Sequence, residues 1–154
     1  MTKVQMLLDE YGSSHQNATN KAIHWICVPL IFFSIVGLFY EIKLPVELAP
    51  GFNLNFAMLM LAFVTVYYVS LSITLALGMS LYAIACIAAC YGMEQAGLPV
   101  WLVSIVIFVL AWIAQFYGHK IEGKKPSFLK DLQFLLVGPA WIMSFIYNKL
   151  GIGM

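Results

Sequence analysis

The chain has 154 residues, 62% of them hydrophobic and only 10% charged, with a formal net charge of +1 and a mean hydropathy of +0.90. A water-soluble domain is nearer half apolar and a quarter charged, so this composition belongs in a membrane and leaves no room for a separate soluble domain. The near-zero net charge argues against a polyelectrolyte partner such as nucleic acid.

Residues 2–11 read as a short amphipathic helix with Val4, Leu7, Leu8 and Tyr11 on one side, expected to lie on the membrane surface. This terminus carries acids and lacks the apolar core of a signal peptide, so it is expected to be retained. Gly12 and the serines after it break the pattern. Asn17 is placed to cap the next helix, its side chain accepting from the amide near Asn20. The first span runs from about Lys21 to Tyr40, close to the ~20 residues a bilayer requires, with Pro29 inside it to loosen the helix. "EIKLPVELAPGFN" reads as a loop by its charges, prolines and glycine.

From Phe56 to Gly92 there is no charge for 37 residues, too long for one span, and the segment is divided at "YVSLS", residues 68–72, into two antiparallel helices. "GMEQAGLP" closes the next connection, and residues 100–117 form the fourth span. Leu132–Tyr147 is a short apolar segment containing Gly138-Pro139, expected to be tilted, broken or partly interfacial. The expected architecture is one all-α membrane-embedded domain over residues 1–154. It has four spanning helices, a fifth short or broken apolar helix and the N-terminal amphipathic helix. Cys27, Cys86 and Cys90 all fall in apolar runs and read as small buried hydrophobes; no disulfide framework or CxxC zinc pattern is present.

Counting passes brings the titratable residues together. Four crossings return the chain to the side on which it began, so His15, His24 and His119, the only histidines, share one membrane surface. Lys3, Lys21, Lys120, Lys124, Lys125 and Lys130 lie on that side. Lys43 lies opposite, as does Lys149 if the last segment crosses. Every basic residue is a lysine, and the bias makes the histidine side cytoplasmic: the inner membrane in a bacterium, the endoplasmic reticulum in a eukaryote. The sequon Asn17-Ala18-Thr19 would then go unused. Asn20 and His24 share a helical face. His15 on the same helix would point nearly opposite His24, so it is expected on the preceding turn, folded back. Gln115, His119 and Glu122 form one polar stripe at the end of the fourth span.

A polar stripe at a helix end is often only a solvated interface, but ionisable groups near membrane depth are costly and usually functional. Three converging imidazoles make a metal-binding set with open positions, suited to iron, zinc or copper. Fe(II) could be held by three histidines, or by two plus Glu122; Glu122 could equally orient an imidazole from outside the ligand set. Asn17, Asn20 and Gln115 are candidate donors to a substrate carboxylate or a bound oxygen species. Membrane desaturases and hydroxylases that use two irons need many more histidines, which disfavours that class.

The stretch from Tyr11 to Leu30, "YGSSHQNATNKAIHWICVPL", resembles the amino-terminal signature of the Fe(II)-dependent 2-hydroxy fatty acid dioxygenases, a small family of multi-spanning membrane proteins. "QFYGH" ending at His119, with "EGKKP" from Glu122 to Pro126, is similar to its second signature, and "LLVGPA" around Gly138-Pro139 to its closing segment. The resemblance covers essentially the whole chain. It implies α-oxidation, in which a 2-hydroxy fatty acid reacts with dioxygen and is shortened by one carbon, on an iron held by His15, His24 and His119. Two positions depart from the pattern. Ala18 stands where many members have proline, which keeps the cap and loses rigidity. Glu122 is three residues after His119 where many place the acid at four, which weighs against Glu122 as a direct ligand.

On that resemblance a 2-hydroxy carboxylate chelates the iron at the cytoplasmic surface while its acyl tail lies in the bilayer. Lys21 or Lys120 could attract the carboxylate, although interfacial lysines are common. Tyr11 and Tyr117 could hydrogen-bond near the site, against an aromatic-belt role for both. Two other classes fit the same residues: a lipid- or quinone-binding protein or small transporter without chemistry, and a zinc-dependent lipid hydrolase. A conventional transporter is disfavoured by nearly charge-free spans and the lack of an inverted repeat.

Overall fold

The computed structural model describes residues 1–124 and 128–154, so Lys125 and Pro126 of the second signature lie outside the described residues. Among the described residues the chain forms six helices and one two-stranded sheet. The helices are α1 (Lys3–Ser13), α2 (Ala18–Tyr40), α3 (Phe56–Leu71), α4 (Ile73–Gln95), α5 (Val100–Glu122) and α6 (Phe128–Leu150). The strands β1 (Lys43–Ala49) and β2 (Phe52–Asn55) lie between α2 and α3.

Local chemistry sets the boundaries. Asn17 caps α2 as expected, accepting from the amides of Thr19 and Asn20. The helix then runs unbroken through Pro29. The long charge-free stretch divides at Ser72. Its extended backbone ends α3, and its hydroxyl caps α4 by accepting from the Leu75 amide. The segment expected as a loop is instead an antiparallel hairpin. Gly51 sits at its turn with φ of +74°, a conformation side chains other than glycine resist. Charge and proline marked the segment as non-helical, and two short edge strands tolerate both.

Four helices are long and apolar enough to cross a membrane by length and composition: α2, α4, α5 and Leu129–Leu150 within α6. The chain is thus a helical membrane bundle, but two expectations exchange places. α3, read as a full span, has 16 residues. α6, read as short, has 23 and continues through Pro139. Proline is tolerated in apolar helices where neighbours re-satisfy the backbone.

The contacts of α6 place it obliquely across the histidine half of the bundle. Phe134 and Trp141 pack on Tyr11 of α1. Phe145 packs on Trp25 of α2. The Tyr147 hydroxyl donates to the Thr74 carbonyl at the start of α4 (2.7 Å), and the Leu136 carbonyl accepts from Tyr68 at the end of α3 (2.7 Å). Lys149 therefore joins the lysines of the histidine end. Lys43, at the opposite end, pairs with Glu94 at 2.9 Å and sits 3.3 Å above the Tyr40 ring.

The pair α2–α5 is the axis of the site. A Cβ at Gly37 would overlap Ser104, and a Cβ at Gly118 would overlap the Asn20 amide. Helices associate in lipid through close packing at small residues rather than through hydrophobic exclusion. These two contacts bring the backbones together at both ends of an antiparallel pair. Cys27, Cys86 and Cys90 are buried and free, the bland reading of each.

Candidate metal centre

His24 lies one helical turn after Asn20 on α2, and His119 lies one residue after Gly118 on α5, so the Asn20–Gly118 contact brings both rings to one level. His15 occupies the turn between α1 and α2, folded back as its position required. Its ring stacks on Tyr11, with centroids 4.1 Å apart and planes 8° from parallel. The three ring centroids are 4.2 Å (His15–His24), 4.8 Å (His24–His119) and 5.3 Å (His15–His119) apart. One nitrogen from each ring lies within 4.8 Å of the others. All three side chains are buried.

Hydrogen bonding fixes two of the tautomers. The Nδ1 of His15 lies 2.6 Å from the Tyr11 carbonyl, and the Nδ1 of His24 lies 2.9 Å from the Asn20 carbonyl. A carbonyl can only accept, so both Nδ1 atoms carry the proton and both Nε2 atoms present a lone pair. Those Nε2 atoms are buried without a hydrogen-bond partner. An unsatisfied buried acceptor costs about 1–3 kcal/mol, and two aimed at one point are repaid by a cation. The donor set therefore fits a metal: two neutral imidazoles oriented by backbone carbonyls, and a third ring within reach.

Burial pushes the His15 imidazole down to about 4, against the opposing pull of the Tyr11 carbonyl. The unfolded chain, near 6.5, takes up this proton first as pH falls. Metal-free protein is therefore expected to lose stability between pH 6.5 and about 4, by up to about 1.4 kcal/mol per pH unit from this group. Denaturant unfolding in detergent at pH 7 and pH 5 measures the slope, and His15→Phe should reduce it by the share of this one group.

Glu122 makes its hydrogen bonds to the turn around His15 and to Asn20 rather than to a ring. Its Oε1 accepts from the Gln16 amide (2.9 Å), and its Oε2 accepts from the Asn17 amide (2.8 Å) and the Asn20 side chain (3.1 Å). The carboxylate ties the end of α5 to the turn that carries His15. Gly123, with φ of +74°, ends the helix immediately after it. Glu122→Gln keeps the shape but removes the charge from three hydrogen bonds, and is expected to cost about 1.5–3 kcal/mol. Thermal unfolding in detergent would register this, and an unchanged midpoint would show that the clamp is idle.

The remaining candidates separate cleanly. Asn20 is fully buried and spans the gap between the His15 turn and α5, donating to the Ser14 carbonyl and to Glu122. Gln115 lines the cavity beside the rings. Asn17 is exposed and serves as the cap. Tyr117 is exposed and lines no part of the cavity, and Lys120 is also exposed. Lys21 lies about 6 Å over the rings of Trp141 and Phe145.

The rings open onto a cavity of about 30 Å³, room for one or two water-sized groups. Tyr11, Trp112, Asp131 and Phe134 also wall it; Tyr11 was expected near the site, and sequence reasoning placed none of the other three there. Tyr11 acts there through its ring face and its carbonyl rather than through its hydroxyl. Asp131 and Phe134 arrive with α6, whose docking leaves one trace in the sequence: Gly138, where a Cβ would press on Tyr11 and Val28 at 3.1 Å.

The family described as 2-hydroxy-palmitic acid dioxygenase Mpo1-like matches this sequence over residues 1–150. No curated protein and no solved structure matches it.

Proposed function

The chain belongs to the Mpo1-like family, and from that premise we propose that it is a membrane Fe(II)-dependent dioxygenase that shortens 2-hydroxy fatty acids by one carbon. The observation that carries the metal assignment is the pair of carbonyl-oriented imidazoles whose Nε2 atoms have no other partner. His15, His24 and His119 would hold the ion. Fe(II), when bound there, supplies the redox chemistry that dioxygen needs. Conversion of a 2-hydroxy acid to the acid one carbon shorter, carbon dioxide and water balances with one dioxygen, which accepts the four electrons released.

The residues of the chain do the rest. Tyr11 and Asn20 hold the two imidazoles in their donor tautomer through backbone carbonyls, and Glu122 holds the turn that positions His15. Gln115 offers its amide to a substrate oxygen at the cavity wall. Phe134, Leu135 and Trp112 give the cavity apolar walls, and an apolar wall strengthens the electrostatic interactions beside it. The lysines gathered at the histidine end support a cytoplasmic orientation and attract a fatty carboxylate to that surface.

Elemental analysis of protein purified without added metal tests the reading, together with oxygen uptake on addition of a 2-hydroxy fatty acid. Near-stoichiometric iron and oxygen-dependent shortening are expected. Zinc with oxygen-independent turnover would replace it with a lipid hydrolase. Absence of any bound metal would leave a lipid- or quinone-binding protein.

A further inference from the structure

A groove of about 600 Å³ runs along the outer face of α5 against the start of α6, walled by Phe108, Val109, Ile113 and Leu132 among others. It shares Trp112, Asp131 and Leu135 with the wall of the histidine cavity. The two spaces are therefore neighbours across one layer of side chains. The volume falls within the ~300–1,000 Å³ usual for small-molecule sites. Trp112 carries a second signal: its Nε1–H is buried and has no hydrogen-bond partner, a donor that costs free energy until an acceptor arrives. Trp112, Gln115 and His119 follow one another at spacings of three and four, so one face of α5 leads from the groove to the rings.

We propose that this groove holds the acyl chain of the substrate and that the Trp112 indole N–H receives an oxygen of its head group at the inner end. The head-group identity, a 2-hydroxy carboxylate, rests on the dioxygenase reading; the acyl occupant rests on the apolar lining and the wall shared with the histidine cavity. A second apolar groove, about 620 Å³ between α3 and α4, has no wall in common with that cavity. It serves as the internal control for ordinary lipid contact.

The test uses full-length protein in nanodiscs and a 2-hydroxy fatty acid bearing a diazirine near its methyl end, with cross-linked positions mapped by mass spectrometry. Cross-links are expected at residues 108–116 and 132–135, displaced by excess unlabelled 2-hydroxy fatty acid. Ile113→Trp should reduce them at least ~10-fold. Ile113 is 60% exposed, so the larger side chain fills the groove without entering the protein core. Trp112→Phe keeps an aromatic side chain, though a smaller one, and removes the donor, and should weaken displacement ~10-fold or more, the scale of one hydrogen bond to a charged group. Equal labelling of the α3–α4 groove, no displacement, or indifference to Ile113→Trp would overturn the site; indifference to Trp112→Phe would overturn the role of the indole. If the labelling pattern holds while no oxygen is consumed, the dioxygenase reading fails and the acyl site stands.

Discussion

Replacing His24 by alanine is expected to strip the metal and abolish turnover while leaving the helices in place. The Nε2 of His24 has no partner within the protein, so the truncation breaks no hydrogen bond on that side of the ring. On the other side, the Asn20 carbonyl loses only its extra contact with Nδ1. Alanine is also the better helix former. An ion held by the three histidines would lose one of its three nitrogens. Groups outside a ligand set commonly cost ~10–100-fold in affinity or activity when removed, and a ligand should cost more than that. Iron content and oxygen uptake should therefore fall by more than ~100-fold, with the helical circular dichroism signal retained. A variant that kept both iron and full turnover would show that the cluster is not the metal centre.

Gly118→Ala is expected to damage both stability and the site, from a position that carries no chemistry. Helix propensity alone predicts a gain of about 1 kcal/mol for this change. The added Cβ, however, would overlap the Asn20 side chain. Either Asn20 gives up its bonds to Ser14 and Glu122, or α2 and α5 move apart and separate His24 from His119. Overpacking costs about 1–3 kcal/mol, and each broken buried hydrogen bond adds about 1–3 kcal/mol. The clash outweighs the propensity, and the net loss should be at least about 1 kcal/mol, read as a lower unfolding midpoint in detergent with reduced metal content. An unchanged midpoint and metal content would show that the spacing of α2 and α5 is set elsewhere.

Much of this protein was legible along the chain. The apolar runs, Ser72 as a divider and Asn17 as a cap are local signals, because each depends on how one segment meets water or ends its own hydrogen-bond ladder. Counting passes was enough to bring His119 beside His15 and His24. It survived the shortness of α3, since that helix still returns the chain to the histidine half.

The interior was not legible, and the reason is the solvent. In water, an apolar stripe marks the face that packs against protein. In a bilayer both lipid and protein are apolar, so the face of α5 that meets α2 and the face that meets lipid look alike in sequence. Only the tertiary structure decided that α6 crosses the histidine half obliquely, bringing Asp131 and Phe134 to the cavity. It also decided that Glu122 turns from its stripe to the Gln16 and Asn17 amides, and that Tyr11 stacks on His15. The polar residues announced that a site exists; close contacts at Gly37, Gly118 and Gly138, invisible to hydropathy, determined its shape.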